Sequence, residues 1–132
     1  MANKFLERRV DEWVRLVPRF KQLRQKLLKI GGVEVVPPWE PLNVMQLADV
    51  NGIVKAVEGG GQLWDGKAAK LLPMEPCGCH DNADELARSG IGRTATGWAL
   101  SPDGLWRHHS WIVCDDGSLI ETTVKRLLYF GC

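Results

Sequence analysis

The sequence predicts an α+β fold in which N-terminal helices are followed by a further helix packed on a small antiparallel sheet. Residues 3–30 repeat apolar positions at helical spacing, whereas residues 93–130 hold short β-prone segments separated by turn sequences. Segregation of helices and strands along a chain is typical of α+β proteins. The length of 132 residues predicts one domain over 1–132, with an amphipathic helical region at 1–32 and an α+β region at 76–132.

Two amphipathic helices are expected first, at residues 3–17 and 19–30. Pro18 lacks a backbone donor and ends the first helix, and Gly31-Gly32 ends the second. Lys and Arg outnumber Asp and Glu in this part of the chain. We expect both helices to pack on the core through their apolar faces; the alternative is a basic face that binds an acidic partner, nucleic acid or a second copy of the chain.

The middle of the chain carries weaker signals. Residues 33–41 read as an extended piece closed by prolines, and 42–58 as a helix interrupted near Asn51-Gly52. Gly59, Gly60 and Gly61 predict a turn or flexible joint, or alternatively the hinge of a lid. The segment from there to Pro76 reads as a loop with a brief helix around 66–72.

The last third has the clearest pattern. Pro76-Cys77-Gly78 predicts a turn, and residues 80–88 a helix ended by Ser89-Gly90. The expected strands, separated by Ser-Pro-Asp-Gly and Asp-Asp-Gly turns, are 93–100, 105–114 and 118–124, with 127–130 returning to the sheet.

Composition and charge exclude several function classes. The apolar share of 45%, the charged share of 25% and the net charge of +1 are ordinary for a globular protein and give no attraction to nucleic acid or membrane. No apolar run is long enough for a transmembrane helix, and the N-terminal residues do not resemble a signal peptide. We therefore expect a cytoplasmic protein with free thiols, no membrane partner and no nucleic acid.

Cys79 is the candidate nucleophile, because it stands where the predicted helix 80–88 begins. A helix N-terminus and a nearby imidazolium favour a thiolate. Cys77 lies farther from the helix start, and Gly78 lets a substrate backbone approach closely. The alternative is a thiol packed in the core.

The base is one of two adjacent histidines, which a strand sends to opposite faces. A two-residue turn after Asp115 puts Glu121 on the face of His108. A three-residue turn with Gly117 in the left-handed region puts Glu121 opposite Trp111 and diagonal to His109. The Asp-Asp-Gly sequence favours the second register, so we choose His109 as base and Glu121 as its carboxylate partner. The alternative for Glu121 is an exposed side chain on an edge strand.

Other residues were considered for the site. The backbone amide of Cys79 can donate to an oxyanion, with Gln62, Trp64 or Asn82 as a second donor. Three tryptophans are candidates to wall a cleft, at most one of which is expected to touch substrate: Trp98, Trp106 and Trp111.

A metal site is the competing interpretation of the same residues. Cys77, Cys79 and His80 form a C-x-C-H cluster, to which Cys114, His108 and His109 can add ligands. Structural zinc sites usually have C-x2-C spacing. We therefore favour no metal and no cofactor.

The residues around His109 resemble the core of transglutaminase-like proteins in the wider papain-like group. The chain reads His-Ser-Trp-Ile-Val at 109–113 and Leu-Ile-Glu-Thr-Thr at 119–123, where that group has His-Ala-Trp and then Asp before Pro-Thr. The resemblance covers about 76–124 and implies Cys79 as nucleophile, His109 as base and Glu121 at the position usually held by Asp. Residues 97–131 also resemble a group of small bacterial and phage proteins.

This resemblance implies thiol-dependent acyl transfer, with hydrolysis of a peptide, isopeptide or amide bond in a peptide or protein substrate as our first choice. Such scaffolds host several activities and some inactive binders, so two alternatives stay open. One is a non-catalytic protein-interaction module that uses the basic helices, and the other is a small zinc-binding domain.

Overall fold

A computed structural model describes residues 3–38 and 44–132 of the chain. The helices are α1 (Lys4–Leu16), α2 (Phe20–Ile30), α3 (Val44–Gly60) and α4 (Cys79–Arg88). The strands are β1 (Glu34–Val35), β2 (Gln62–Asp65), β3 (Lys70–Leu71), β4 (Arg93–Leu100), β5 (Leu105–Val113), β6 (Leu119–Glu121) and β7 (Leu128–Gly131). The α+β class is therefore confirmed.

The sheet is larger than the sequence predicts. Its strands follow the order β2-β7-β4-β5-β6-β3, and β1 pairs with β5 off this path. The pairings β1·β5 and β3·β6 are parallel, and the others are antiparallel. The brief helix expected around 66–72 is present as a 3₁₀ turn at Gly66–Ala68, whereas the strands β2 and β3 stand where the sequence predicted loop. Neither β2 nor β3 has a strong alternating pattern of its own; partner strands supply their hydrogen bonds.

The N-terminal helices pack on the sheet rather than standing apart. Asn3 caps α1 by accepting a hydrogen bond from the Leu6 amide, and α1 ends before Pro18 as predicted. One hydrophobic cluster joins the helices to the sheet, and its buried members include Val10, Trp13, Val17, Phe20, Leu23, Leu27, Val54, Trp98, Trp106 and Phe130. Apolar burial on this scale makes the helices part of the core.

The indoles of two sheet tryptophans fix the segment after α2. Trp106 Nε1 donates to the Gly31 carbonyl at 2.9 Å, and Trp98 Nε1 donates to the Val36 carbonyl at 3.2 Å. Both side chains are fully buried, so they are core residues rather than cleft walls. Residues 39–41 of the predicted extended piece and 42–43 of the predicted helix lie outside the described residues.

Helix α3 corrects two predictions about glycine. It runs without interruption through Asn51-Gly52, and Gly52 lies on an exposed side of the helix. Gly59 and Gly60 complete α3 instead of forming a joint, and Gly61 packs closely against Phe130. Gly61 alone forms the connection between α3 and β2.

The turn between β5 and β6 has the three-residue form. Ile112 pairs with Ile120 and Val113 with Leu119, and Gly117 has a φ of 86°. The predicted register is confirmed. Strand β6 is shorter than expected, ending at Glu121 rather than at 124, because the chain then bends so that the Thr123 amide donates to the Glu121 carboxylate.

Two alanine substitutions separate glycines that the fold requires from glycines that it tolerates. A Cβ at Gly97 would collide with the Phe130 carbonyl and Gly131 on the neighbouring strand β7, whereas a Cβ at Gly52 meets nothing. We expect Gly97→Ala to lower the free energy of unfolding by about 2–3 kcal/mol. Gly52→Ala is expected to raise it by about 0.5–1 kcal/mol, because alanine favours a helix interior.

Urea unfolding followed by circular dichroism measures both changes, and Gly52→Ala serves as the matched control for Gly97→Ala. Equal effects of the two variants on the unfolding midpoint would contradict the described sheet packing.

Candidate active site

The nucleophile candidate lies at a gap in the sheet edge. One edge of β5 pairs with β4 along its length, whereas the other pairs with β1 at 105–106 and with β6 at 112–113. Between these partners, the described residues put no strand beside 107–111. The N-terminus of α4 packs there, where His80 contacts the Ser110 hydroxyl and the Ser110 backbone amide is close enough to the sulfur to help lower the pKa of Cys79. The helix start therefore holds the thiol beside β5.

Helix α4 begins at Cys79 because of the turn that precedes it. Gly78 is the N-cap residue and provides no capping side chain. The preceding turn is held instead by Asn82, whose side-chain amide donates to the Glu75 carbonyl at 2.9 Å. The Gly78 amide donates to the same carbonyl at 3.2 Å. Cys77 has a φ of 61°, a left-handed conformation that is uncommon for a residue with a side chain. Backbone strain of this kind often accompanies functional sites.

Pleating separates the two histidines as the sequence predicts. His109 lies against Trp111 and Tyr129 on one face, with ring centroids 6.1 Å and 6.3 Å away. His108 lies on the other face against the rings of His80 and Trp98. Burial and the charges of His80 and His109 lower the pKa of His108 to about 3, so its ring is neutral at pH 7. Of the two, His109 is the one that meets both Cys79 and Glu121.

Glu121 is fully buried and hydrogen-bonded on both oxygens. Its Oε1 contacts His109 Nε2 at 2.7 Å and accepts from the Tyr129 hydroxyl at 2.8 Å. Its Oε2 accepts from the Thr123 amide and hydroxyl, each at 3.0 Å. Burial works to raise the pKa of this carboxyl, but the bond and charge of His109 and these donors together lower it. The group is therefore ionised, and the alternative of an exposed Glu on an edge strand is wrong.

His109 connects the carboxylate to the thiol. Because Nε2 faces Glu121, Nδ1 is the ring nitrogen left for the hydrogen bond with Cys79. Burial opposes a charge on this ring, yet the hydrogen bonds of Cys79 and Glu121 and the Glu121 charge raise the pKa of His109 overall. The imidazolium is the form that these neighbours stabilise.

The pKa of the Cys79 thiol is lowered, in part by the same hydrogen bond that raises the pKa of His109. Partial burial opposes the thiolate, but hydrogen bonds from His109 and His80, the charge on His109 and the Ser110 amide lower the pKa of Cys79 to about 5. A thiolate and an imidazolium in contact are the combination that a nucleophilic cysteine requires. The structure thus brings together the three residues chosen from sequence: Cys79, His109 and Glu121.

The other sequence candidates lie elsewhere. Gln62 is exposed and aligned with His109 three strands away, about 14 Å at the usual strand spacing. Trp64 packs edge-on against Trp111 at 5.9 Å, and the fully buried Trp111 supports His109 from behind. Asn82 is buried and holds the turn before α4. None of Gln62, Trp64 and Trp111 is among the residues that line the cavity beside Cys79.

The open side of the site is a cleft with a cavity volume of about 440 Å³. Cys77, Cys79 and His109 border it, and its remaining walls come mostly from segments 73–76 and 123–126 and from β5. None of Trp98, Trp106 and Trp111 is among these lining residues. Pro73, Met74 and Pro76 supply apolar walls of the cleft, for which tryptophan was expected.

Three contributors were missed by sequence reasoning. His80 is exposed, places Nδ1 2.5 Å from the Ser110 hydroxyl and helps to lower the pKa of Cys79. In the sequence His80 stands beside Cys79, but nothing in the pattern indicates that its side chain turns back toward Ser110 and the thiol. The Ser110 amide carries no sequence signal, because every residue except proline has one. Tyr129 was identifiable only as the one tyrosine of the chain.

No group of three or more His, Cys, Asp or Glu side chains within residues 3–38 and 44–132 is arranged to hold a metal ion. All four cysteines are free. Nothing in the described residues therefore supports the zinc alternative. In the same part of the chain, no helix is both long enough and apolar enough to cross a membrane.

Comparison of the chain with protein-family models, with curated proteins and with solved structures finds no match in any of the three.

The pKa of Cys79 gives a pH dependence with a definite sign. A thiol with a lowered pKa loses its proton at lower pH, so alkylation of Cys79 by iodoacetamide is expected to reach half its maximal rate near pH 5. In His109→Ala the imidazole bond and charge are lost, and this midpoint is expected to rise toward the ordinary thiol value of about 8.5.

Peptide mass spectrometry after timed labelling measures the rate at each cysteine across the pH range. Exposed Cys132 in the same samples is the internal control. If Cys79 is labelled no faster than Cys132 at pH 6, the described thiolate does not exist.

Proposed function

We propose that this protein is a thiol-dependent acyl-transfer enzyme that hydrolyses a peptide, isopeptide or amide bond through an acyl-enzyme on Cys79. The observation that carries the proposal is that the His109 ring, hydrogen-bonded to the buried Glu121 at 2.7 Å, borders the same cavity as Cys79 and lowers the pKa of its thiol. Each of these three residues has the protonation state that nucleophilic catalysis by cysteine requires.

The chemistry follows from these contacts. The Cys79 sulfur forms a bond with the substrate carbonyl carbon, and the carbonyl oxygen becomes an oxyanion. When the carbon–nitrogen bond breaks, the His109 imidazolium gives its Nδ1 proton to the leaving amine. Water then attacks the thioester and passes a proton to His109, the carbon–sulfur bond breaks, and the thiolate returns.

The N-terminus of α4 provides hydrogen-bond donors that can stabilise the oxyanion. No described side chain caps this helix, and the first amides of a helix lack carbonyl partners within it. The amide of Cys79 is the nearest of these donors to the sulfur. Amides and the helix dipole stabilise negative charge at this position without having to reorganise during the reaction.

Glu121 acts on His109 rather than on substrate. It is inaccessible to solvent, so it orients the ring and stabilises its positive charge. The order of nucleophile, base and carboxylate along helix, strand and strand supports the relation to transglutaminase-like proteins of the papain-like group. Hydrolysis is preferred over transfer to an amine because water requires no second binding site.

The acyl-enzyme is testable with an activated ester. On mixing with p-nitrophenyl acetate and quenching in acid, the protein is expected to carry one acetyl group on Cys79 and to release p-nitrophenol in a matching burst. His109→Gln is expected to slow the burst about 100-fold, the usual contribution of a general base.

Cys79→Ala is the negative control, and Cys132→Ala is the matched control for loss of an exposed cysteine. Acetylation that is equally fast in Cys79→Ala, or that maps only to lysines, would refute the proposed function.

A further inference from the structure

The cleft beside Cys79 is bordered by two cationic side chains, Arg107 and Arg126. Its other walls include the apolar side chains Pro73, Met74 and Val124, and no Asp or Glu is among the described residues that line it. Glu121 is close in sequence to this wall, but its carboxylate is sealed behind His109. The cleft therefore presents positive charge next to the reactive sulfur.

Arg107 is largely neutralised by its own neighbour. Its two terminal nitrogens contact the carboxylate of Asp103 at 3.1 Å and 2.7 Å, and both side chains are substantially exposed. A paired and solvated guanidinium contributes little to binding a further anion.

Arg126 differs because the protein holds its guanidinium without pairing its charge. Nε donates to the Val124 carbonyl at 2.8 Å, and Nη1 donates to the Ser101 hydroxyl at 3.1 Å. The Arg126 amide also donates to the Tyr129 hydroxyl at 3.3 Å, which anchors this loop to the support of Glu121. No carboxylate in the described part of the chain forms an ion pair with Arg126.

The position of Arg126 links it to the reaction. The positive charge of Arg126 disfavours the protonated form of His109. The guanidinium therefore lies within electrostatic reach of the proposed base. A fixed guanidinium in a partly apolar cleft is suited to a carboxylate, because its planar donors match the two oxygens and less water competes.

We propose that the cleft selects acyl groups that carry a carboxylate close to the scissile carbonyl, and that Arg126 is the specificity-determining residue that binds it. This inference rests on the proposed function and names the substrate class of the same site. Candidate substrates are amides or isopeptides of acidic residues with a free carboxylate, rather than neutral acyl chains.

Two alkylating reagents of nearly equal shape test this directly. Iodoacetate carries a carboxylate and iodoacetamide a neutral amide, and each transfers its carbon to the Cys79 sulfur with loss of iodide. The same thiolate attacks both reagents. A change in the fraction of ionised Cys79 therefore alters both rates equally and cancels in their ratio. Because His109 also attracts anions, the quantity that matters is the change in this ratio between variants.

We expect Arg126→Gln to lower the iodoacetate-to-iodoacetamide rate ratio at Cys79 about tenfold, the loss expected from one charge-assisted hydrogen bond. Arg126→Lys keeps the charge without the planar fork and is expected to restore part of the ratio. Arg93→Gln, at the exposed start of β4, is the matched control and is expected to leave the ratio unchanged.

An unchanged ratio in Arg126→Gln, with Cys79 still alkylated near pH 5 in the wild type, would overturn the carboxylate site and leave the proposed function intact. Slow reaction of wild-type Cys79 with both reagents would overturn the proposed function and this inference together. Urea unfolding of each variant shows that the comparison is made on folded protein.

Discussion

The buried carboxylate of Glu121 is the constraint on which the site depends. An ionised group without solvent access is costly unless its oxygens are hydrogen-bonded and its charge is balanced. Tyr129 and Thr123 supply three of its contacts and come from different segments, β7 and the bend after β6. The fourth contact comes from His109, whose positive charge balances the carboxylate. The carboxylate thus fixes the sheet, the loop and the imidazole in one arrangement.

The Cys79–His109 ion pair follows from that arrangement and from the gap in the sheet. Because β1 and β6 cover only the ends of one β5 edge, the Ser110 amide is left for a sulfur rather than for a carbonyl. Helix α4 fills the gap with its N-terminus, where a negative charge is favoured. The fold therefore stabilises opposite charges on neighbouring side chains before any substrate binds.

Local signals account for what the sequence predicted correctly. The Asp-Asp-Gly turn determines the β5–β6 register through Gly117, and the register in turn places Glu121 beside His109. Helix starts and strand alternation determine the position of Cys79 and the separation of His108 from His109. Long-range contacts account for the rest: β2 and β3 are strands because of their partners, and the anchoring of Arg126 by Ser101 spans 25 residues. Neither pattern nor spacing in the sequence reveals such contacts.

The nitrogen-15 chemical shifts of the His109 ring test the central claim most directly, since they report the proton on each nitrogen. With the Cys79–His109 ion pair formed, both ring nitrogens are expected to carry a proton at pH 7 in the wild type. Cys79→Ser, which removes the thiolate, is expected to lower the pH at which the ring loses its charge. A neutral ring at pH 7, with the same titration midpoint in Cys79→Ser, would contradict the ion pair and the mechanism built on it.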